Sequence, residues 1–518
     1  MTKFDSAIRN PKSAIVLWVL LATLAIIAYF YGLSMPFLGP DEARYAQVGR
    51  EMFERSDWIT PTLGGFNWFE KPALLYWLEI ISYDLFGVNE FAARFVPALF
   101  GVGTVISLWI LGRKFTTENT EVSEKPEITM PSVVSSFAIW LALIAASTLG
   151  LLVFSHGASF DIIVTFPITA ALVSFFLFDQ SKTESFRDKY LPLILFYGFT
   201  GVALLAKGLI GILFPFVIIG LFYALSRRIP SRAFLLSLFW GTILASALAA
   251  VWYLPMYMRH GYEFVDQFFI QHHLQRFTSN KYQHPQPFYF FLWVLPLMTL
   301  PWLPFFLIAV WNFTKSVIRR LTNSPAGIAP FPPLVLFAAA WLFVPLAFFS
   351  FSGSKLPGYI LPALPAAIIV TALFVFQLVK SSSKWRTVVL VTAASTFAGT
   401  ILLMIFVVPR FAELDSAKFL ITAANDRGFE SDRVLTMHVI SHNAEFYAAG
   451  RLLRDESGKQ RRLYSVNEIM AEIANENGRT AIVLVPLEYL AQLTTDERIK
   501  TEVLRDNGEL AIAVVTVK

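Results

Sequence analysis

The chain has 518 residues, of which 56% are hydrophobic and only 15% charged, and its mean hydropathy is +0.57. A soluble globule of this length has no core large enough to hide that much apolar surface, so the composition excludes one. The net charge of +5 sits mostly in short loops between apolar runs, which is a topology signal and not a nucleic-acid footprint, and the lack of cysteine excludes disulfides, iron–sulfur clusters and a thiol nucleophile.

Met1–Lys12 is basic and precedes an apolar run near 13–33, too long for a signal-peptide core, so a retained first helix is expected. Further apolar runs lie near 92–112, 131–154, 160–178, 190–206, 208–225, 233–255, 288–311, 331–351, 356–379 and 387–408. Each is long enough, or nearly so, to cross a hydrocarbon layer as a helix of roughly 20 residues. None alternates in polarity as a membrane barrel strand would. The expectation is an all-α polytopic membrane protein of eleven spans, or thirteen if some are broken helices.

Alternate loops carry three basic residues each, from Lys3, Arg9 and Lys12 at the start to Lys380, Lys384 and Arg386 near the end. The positive-inside rule makes that side cytoplasmic, with the N-terminus inside and the segment after 409 outside. The opposite side holds two long loops, 34–91 and 255–288, inside a membrane domain of residues 1–410. From 411 to 518, strand-like runs at Arg433–Ile440, Thr480–Pro486 and Leu510–Val517 alternate with a helical stretch at Ser465–Asn475. This reads as a small extracytoplasmic α/β domain without a catalytic motif.

The outer loops hold the polar clusters. In Gly39-Pro40-Asp41-Glu42-Ala43-Arg44-Tyr45, Pro40 suits a first helical turn and the two carboxylates lie at the positive end of the helix dipole. Arg44 and Tyr45 follow Asp41 by three and four positions and share its face. Such a carboxylate suits a base or an anchor for an amine or hydroxyl, and the Asp-Glu pair fits a plain helix cap equally well.

Trp68-Phe69-Glu70-Lys71-Pro72 sets a Glu-Lys pair among aromatics. Lys71 suits a phosphate and Glu70 a polar group or metal; the bland alternative is an interfacial amphipathic helix. Asp161, entering a span after Ser159-Phe160, needs a polar partner there or is part of a helix start. Lys207 and Lys355 are flanked by glycines on the side where positive charge is sparse. With Arg276 they could converge on a phosphate or pyrophosphate, or the lysines could simply snorkel to the interface. His272 and His273 could bind a divalent metal with Glu70, although no local ligand spacing is present. There is no P-loop, which argues against a nucleotide-driven pump.

These motifs, in order, resemble those of the bacterial undecaprenyl phosphate-aminoarabinose transferases, related to protein O-mannosyltransferases within the glycosyltransferase C superfold. The matching stretches are Asp41-Glu42-Ala43-Arg44-Tyr45, Phe69-Glu70-Lys71-Pro72, Ser159-Phe160-Asp161, Lys207-Gly208, His273-Leu274-Gln275-Arg276-Phe277 and Lys355-Leu356-Pro357-Gly358-Tyr359. The resemblance implies a polyprenyl-phosphate-sugar donor, inversion at the anomeric carbon, and lipid A or another envelope molecule as acceptor at the inner membrane. It implies donor phosphate at Lys71, Arg276, Lys355 and Lys207, a hydroxyl from Tyr359, catalytic carboxylates at Asp41 and Asp161, and substrate contacts at Glu42, Arg44, Tyr45 and Glu70. It requires no cofactor and allows a divalent metal near Glu70 and His273. Transfer of a hexose to protein or another glycan is the alternative within the enzyme class. A lipid-linked sugar transporter is the alternative outside it, and should carry its ionisable groups at mid-membrane in paired repeats.

Overall fold

The computed structural model describes residues 11–120, 136–182, 185–275, 286–322, 331–475 and 479–518. Among the described residues the apolar runs fall mainly on helices. Seven helices among the described residues are each long and apolar enough to cross a membrane, or eight if the pair Phe137–Ala146 and Leu149–Ser155, bent by 55° at its break, is one span. The protein is a multi-pass membrane protein, but this number lies below the eleven to thirteen expected. Ile15–Phe30 and Ile210–Ser226 are shorter apolar helices, and the run over 288–311 is divided into Phe290–Met298 and Leu303–Thr322.

The interruptions have local causes. Pro301 lacks a backbone donor and disfavours helical geometry at the residue before it, so the chain turns between Thr299 and Trp302. Gly208, at φ 67°, ends helix Phe186–Lys207 in a conformation that a Cβ would strain, and the next helix starts at Ile210. The helices keep apolar residues on their outer faces: Leu236 and Phe239 are 73% and 78% exposed. That surface suits lipid and not water.

The 34–91 segment folds into regular elements. It forms helix Gly39–Glu54, a hairpin of β1 (Thr62–Leu63) and β2 (Phe66–Asn67), and helix Leu74–Phe86. After residue 407 the chain leaves the membrane part, and the expected boundary at 411 falls inside helix Val408–Asp415. The C-terminal part holds a five-stranded sheet, β3 (Val434–Met437), β4 (Arg462–Leu463), β5 (Thr480–Pro486), β6 (Ile499–Asp506) and β7 (Leu510–Val517), in the order β4-β3-β5-β7-β6. β3 pairs parallel with β4 and β5, and β7 pairs antiparallel with β5 and β6.

Strand periodicity divides the core of this sheet. Leu435, Val483 and Val485 pack with Val466, Ile469 and Ile473 of helix Val466–Asn475 on one face. Val434, Ile482 and Leu484 pack with Leu420, Ile421 and Ala424 on the other. Both faces are covered, so the central strands are continuously apolar and do not alternate.

The C-terminal domain grips the start of helix Gly39–Glu54. Asn443 donates to the carbonyls of Phe37 at 2.8 Å and Gly39 at 3.2 Å. The Tyr447 hydroxyl accepts from Phe37 N at 2.8 Å, and Asp415 accepts from Gly39 N at 3.0 Å. Lys418 pairs with Glu90 at 2.7 Å, and Phe37 packs edge-on against Phe446 at 4.9 Å.

Candidate active site

Helix Gly39–Glu54 begins with Pro40 in its first turn and Asp41 and Glu42 just after it. Asp41 forms an ion pair with Arg44, whose side chain also donates to Pro40 O at 3.2 Å and lies 5.9 Å from the Trp68 ring. Asp41 stays the more open partner, at 43% side-chain exposure. Glu42 points elsewhere. Its carboxylate accepts from Arg94 at 2.7 and 3.1 Å, from Leu38 N at 3.2 Å and from Ala158 N at 2.8 Å. Arg94 is 4% exposed and also donates to the carbonyls of Leu33, Met35 and Pro36. Glu42, expected to meet substrate, therefore carries a full set of protein partners and fixes the entry of the Asp41 helix.

Tyr45 is buried and stands edge-on to Phe160 at 5.0 Å, while Tyr76 meets the same ring at 5.3 Å. Burial first, and then the carboxylates of Asp41 and Glu70, push the Tyr45 hydroxyl well above its usual range, so it remains a neutral donor. Phe160 thus joins the 34–91 segment to helix Phe160–Asp179, which carries Asp161.

Asp161 finds its partner in Lys207, at the end of the neighbouring helix Phe186–Lys207. The Lys207 ammonium lies 5.0 Å from the Tyr359 ring centre. Gly358 lets this happen: a Cβ there would occupy the position of the Asp161 carboxylate. Glu70 and Lys71 form a second ion pair at 2.7 Å, with side chains 13% and 12% exposed. Interfacial charges held this far from water are costly, which separates them from a solvated surface pair.

The Glu70–Lys71 pair and Lys207 of the other pair share one cavity of about 270 Å³, whose polar lining is Glu70, Lys71, Lys207, His272, Ser352 and Tyr359. Its other wall is apolar: Leu209, Ile210, Leu213, Phe269, Phe348 and Phe349. Leu213 and Phe348 also line a second cavity, which continues between helices Ile210–Ser226 and Pro333–Ser350 along Phe214, Val217, Leu221, Ala224 and Phe343. The arrangement is a charged head at the membrane edge opening into an apolar groove.

Other expected residues fall differently. Lys355 is 7% exposed, and its ammonium donates to Ser352 O at 2.6 Å and Gln286 O at 3.2 Å, outside the cavity lining. Arg276 and the side chain of His273 lie outside the described residues. Of the expected metal set, Glu70 and His272 both line the cavity and the His273 side chain is outside the described residues; no group of three metal-binding side chains occurs among the described residues.

Sequence reasoning missed Arg94 and His442. Arg94 is 52 residues from Glu42 in an apolar helix, with no motif around it. His442 comes from the C-terminal domain. Its Nδ1 is buried without a hydrogen-bond partner. Burial first, then the charge of Arg44, hold its pKa down at about 4, against an opposing contribution from Asp41. It is a neutral imidazole within the field of the Asp41–Arg44 pair. No local signal marks it, because its neighbours are some four hundred positions away in the chain.

A family model for dolichyl-phosphate-mannose-protein mannosyltransferase matches residues 13–122. The chain is 30% identical over 366 residues to an undecaprenyl phosphate-alpha-4-amino-4-deoxy-L-arabinose arabinosyl transferase of Shewanella sediminis, covering 69% of this chain and 60% of that protein. It is 31% identical to the protein of the same name from Aeromonas salmonicida, over 65% of this chain and 56% of that one. The matched part thus spans less than two thirds of these relatives' own length. Among solved structures, the fold is similar to that of ArnT from Cupriavidus metallidurans bound to undecaprenyl phosphate, with a TM-score of 0.75 at 20% identity, covering 96% of this chain and 97% of that one.

Proposed function

We propose that the chain belongs to an ArnT-like glycosyltransferase family, which its relatives and the similar fold support, and that it is an inverting transferase using a polyprenyl-phosphate-linked sugar. The sugar that its relatives' names carry is 4-amino-4-deoxy-L-arabinose, and the acceptor is an envelope molecule, with lipid A the one that the motif resemblance implies. The site and the C-terminal domain face the extracytoplasmic side of the bacterial inner membrane, as the basic loops suggest.

The observation that carries this reading is the amphipathic cavity. Lys71 and Lys207 stand at its polar end, and the apolar wall leads on into the groove between helices Ile210–Ser226 and Pro333–Ser350. A polyprenyl phosphate has that same division between a dianionic head and a long apolar tail. Its phosphate competes for the two ammonium groups that Glu70 and Asp161 hold in the free chain.

In the transfer, the bond from the anomeric carbon to the phosphate oxygen breaks, and the phosphate leaves with the electron pair. Lys71 and Lys207 stabilise the charge that develops there. An acceptor oxygen forms the new bond from the opposite face. Where that oxygen is a hydroxyl, Asp41 takes its proton. Where it is a phosphate, no proton need move, and Asp41 grips the sugar, with the amino group as its natural partner. None of these steps calls on a metal.

Membranes containing the protein, supplied with polyprenyl-phosphate sugars, test the reaction. Sugar transfer supports it; lipid translocation without transfer from any donor sinks it and favours a transporter. Mass spectrometry of lipid A with and without the gene tests the acceptor. The match to the mannosyltransferase model over residues 13–122 favours a second reading, hexose transfer to protein or another glycan, which predicts unchanged lipid A.

A further inference from the structure

We propose that the cavity between the β1–β2 hairpin and the C-terminal sheet is a second anion site, which binds a phosphate group on the acceptor. This cavity of about 490 Å³ is lined by Gly64, Phe66, Ser431, Arg433, Arg451 and Arg454, together with Gly450 and Leu452. Three guanidinium groups line it and no carboxylate does.

The arginines differ in what they have left to offer. Arg454 is 6% exposed; it pairs with Glu445 and donates to Gly458 O at 2.8 Å, but its Nε is buried without a partner. A Cβ on Gly64 would fall on that Nε, so only a glycine lets the hairpin backbone pack against this guanidinium edge. Arg451 donates only to neutral oxygens: Ala448 O, Phe429 O, Asp432 O and Asn425 Oδ1. Those bonds orient it without neutralising its charge. A buried donor that lacks a partner, among fixed guanidinium groups, suits a phosphate better than water.

None of the residues that line this cavity lines the one at Lys71 and Lys207, so a phosphate held here is not the donor's. His442, of the same C-terminal domain, feels the charges of Arg454, Arg44 and Asp41. Assigning the phosphate to the acceptor rests on the transferase reading above; the anion site itself does not.

The test uses the full-length chain in nanodiscs, saturated with polyprenyl phosphate so that the first site is filled, and titrated calorimetrically with inorganic pyrophosphate. Wild type and Arg433→Lys should bind it, and Arg433→Gln about tenfold more weakly, the loss of one charge-assisted hydrogen bond. No pyrophosphate binding, or equal binding by wild type and Arg433→Gln, overturns the site. In transfer assays Arg433→Gln should raise the acceptor KM about tenfold and leave the donor KM within about twofold; an unchanged acceptor KM overturns the acceptor assignment. A wild-type chain that binds pyrophosphate at this site but transfers no sugar removes the transferase reading and leaves the site standing.

Discussion

Lys207 ends its helix in an ion pair with Asp161, the first acidic residue of the neighbouring helix. The pair joins helices Phe160–Asp179 and Phe186–Lys207 at the membrane edge, beside the ring of Tyr359. It holds the ammonium at the mouth of the apolar groove in the absence of substrate. Removing either partner leaves the other charge uncompensated at about 14–19% side-chain exposure. Lys207→Met should weaken polyprenyl phosphate binding by about tenfold or more, and Lys207→Arg should recover part of it. Tryptophan-quench titration checks this, and unaltered affinity in Lys207→Met would remove Lys207 from the donor site.

Gly358 controls the same pair from the opposite side. A methyl group there meets the Asp161 carboxylate and the Phe154 ring. Gly358→Ala should therefore displace Asp161 from Lys207 and lower transfer by about 10- to 100-fold, since small misplacements at a reaction centre cost that much. Membrane insertion and expression level should stay near wild type. Steady-state kinetics on purified protein decide it; full activity would mean that the Asp161 position is not critical.

Asp41→Asn and Lys71→Ala should each abolish transfer while the protein still inserts. Asp41 is half open beside Arg44, and Lys71 lines the cavity, so neither holds the fold together. The two should differ in detail: Lys71→Ala loses donor affinity, and Asp41→Asn keeps it. An active Asp41→Asn enzyme would refute a base role for Asp41.

Arg94→Met should behave differently from both. Arg94 bonds Glu42 and three loop carbonyls while nearly excluded from water. Breaking such a pair from one side costs about 3–5 kcal/mol, because a buried carboxylate is left unpaired. The expected result is low expression or a lowered melting point in detergent. The double variant Arg94→Met with Glu42→Leu should regain part of the loss. A stable, fully active Arg94→Met single variant would contradict a bracing role.

Glu79 supplies a pH test. It is fully buried in helix Leu74–Phe86, both carboxylate oxygens lack partners, and burial raises its pKa well above the usual carboxylate range. Its acid form persists in the folded chain while the unfolded chain ionises. The stability this leaves is fully present below the unfolded pKa and is lost as pH rises towards the folded one, at about 1.4 kcal/mol per pH unit. Glu79→Gln has no such penalty. Its melting-point advantage over wild type should be larger at about pH 8 than at about pH 5. A difference independent of pH would mean that Glu79 is ionised in the folded state.

The linear chain made much of this legible. Apolar run length announced a multi-pass helical protein, because spanning backbone must satisfy its own hydrogen bonds wherever it lies. Period and turn residues gave strands Thr480–Pro486 and Leu510–Val517 at the ends where they occur. Asp41 with Arg44, and Glu70 with Lys71, were visible because helical spacing and direct adjacency are local relations.

What the chain by itself left open are the relations between segments. Which helices are long enough to cross alone depended on breaks at Gly208 and around Pro301. The joining of Asp161 with Lys207 across 46 positions, of Glu42 with Arg94 across 52, and of Asn443 with Phe37 across 406 came only with tertiary structure. Lys355, which its glycine-rich setting made a phosphate ligand, is turned onto two carbonyls. His442 approaches Asp41 only because the C-terminal domain docks on Phe37 and Gly39. Periodicity and composition act through neighbours along the chain. A buried charge instead takes whichever partner the packed helices bring within reach, and no local spacing records that choice.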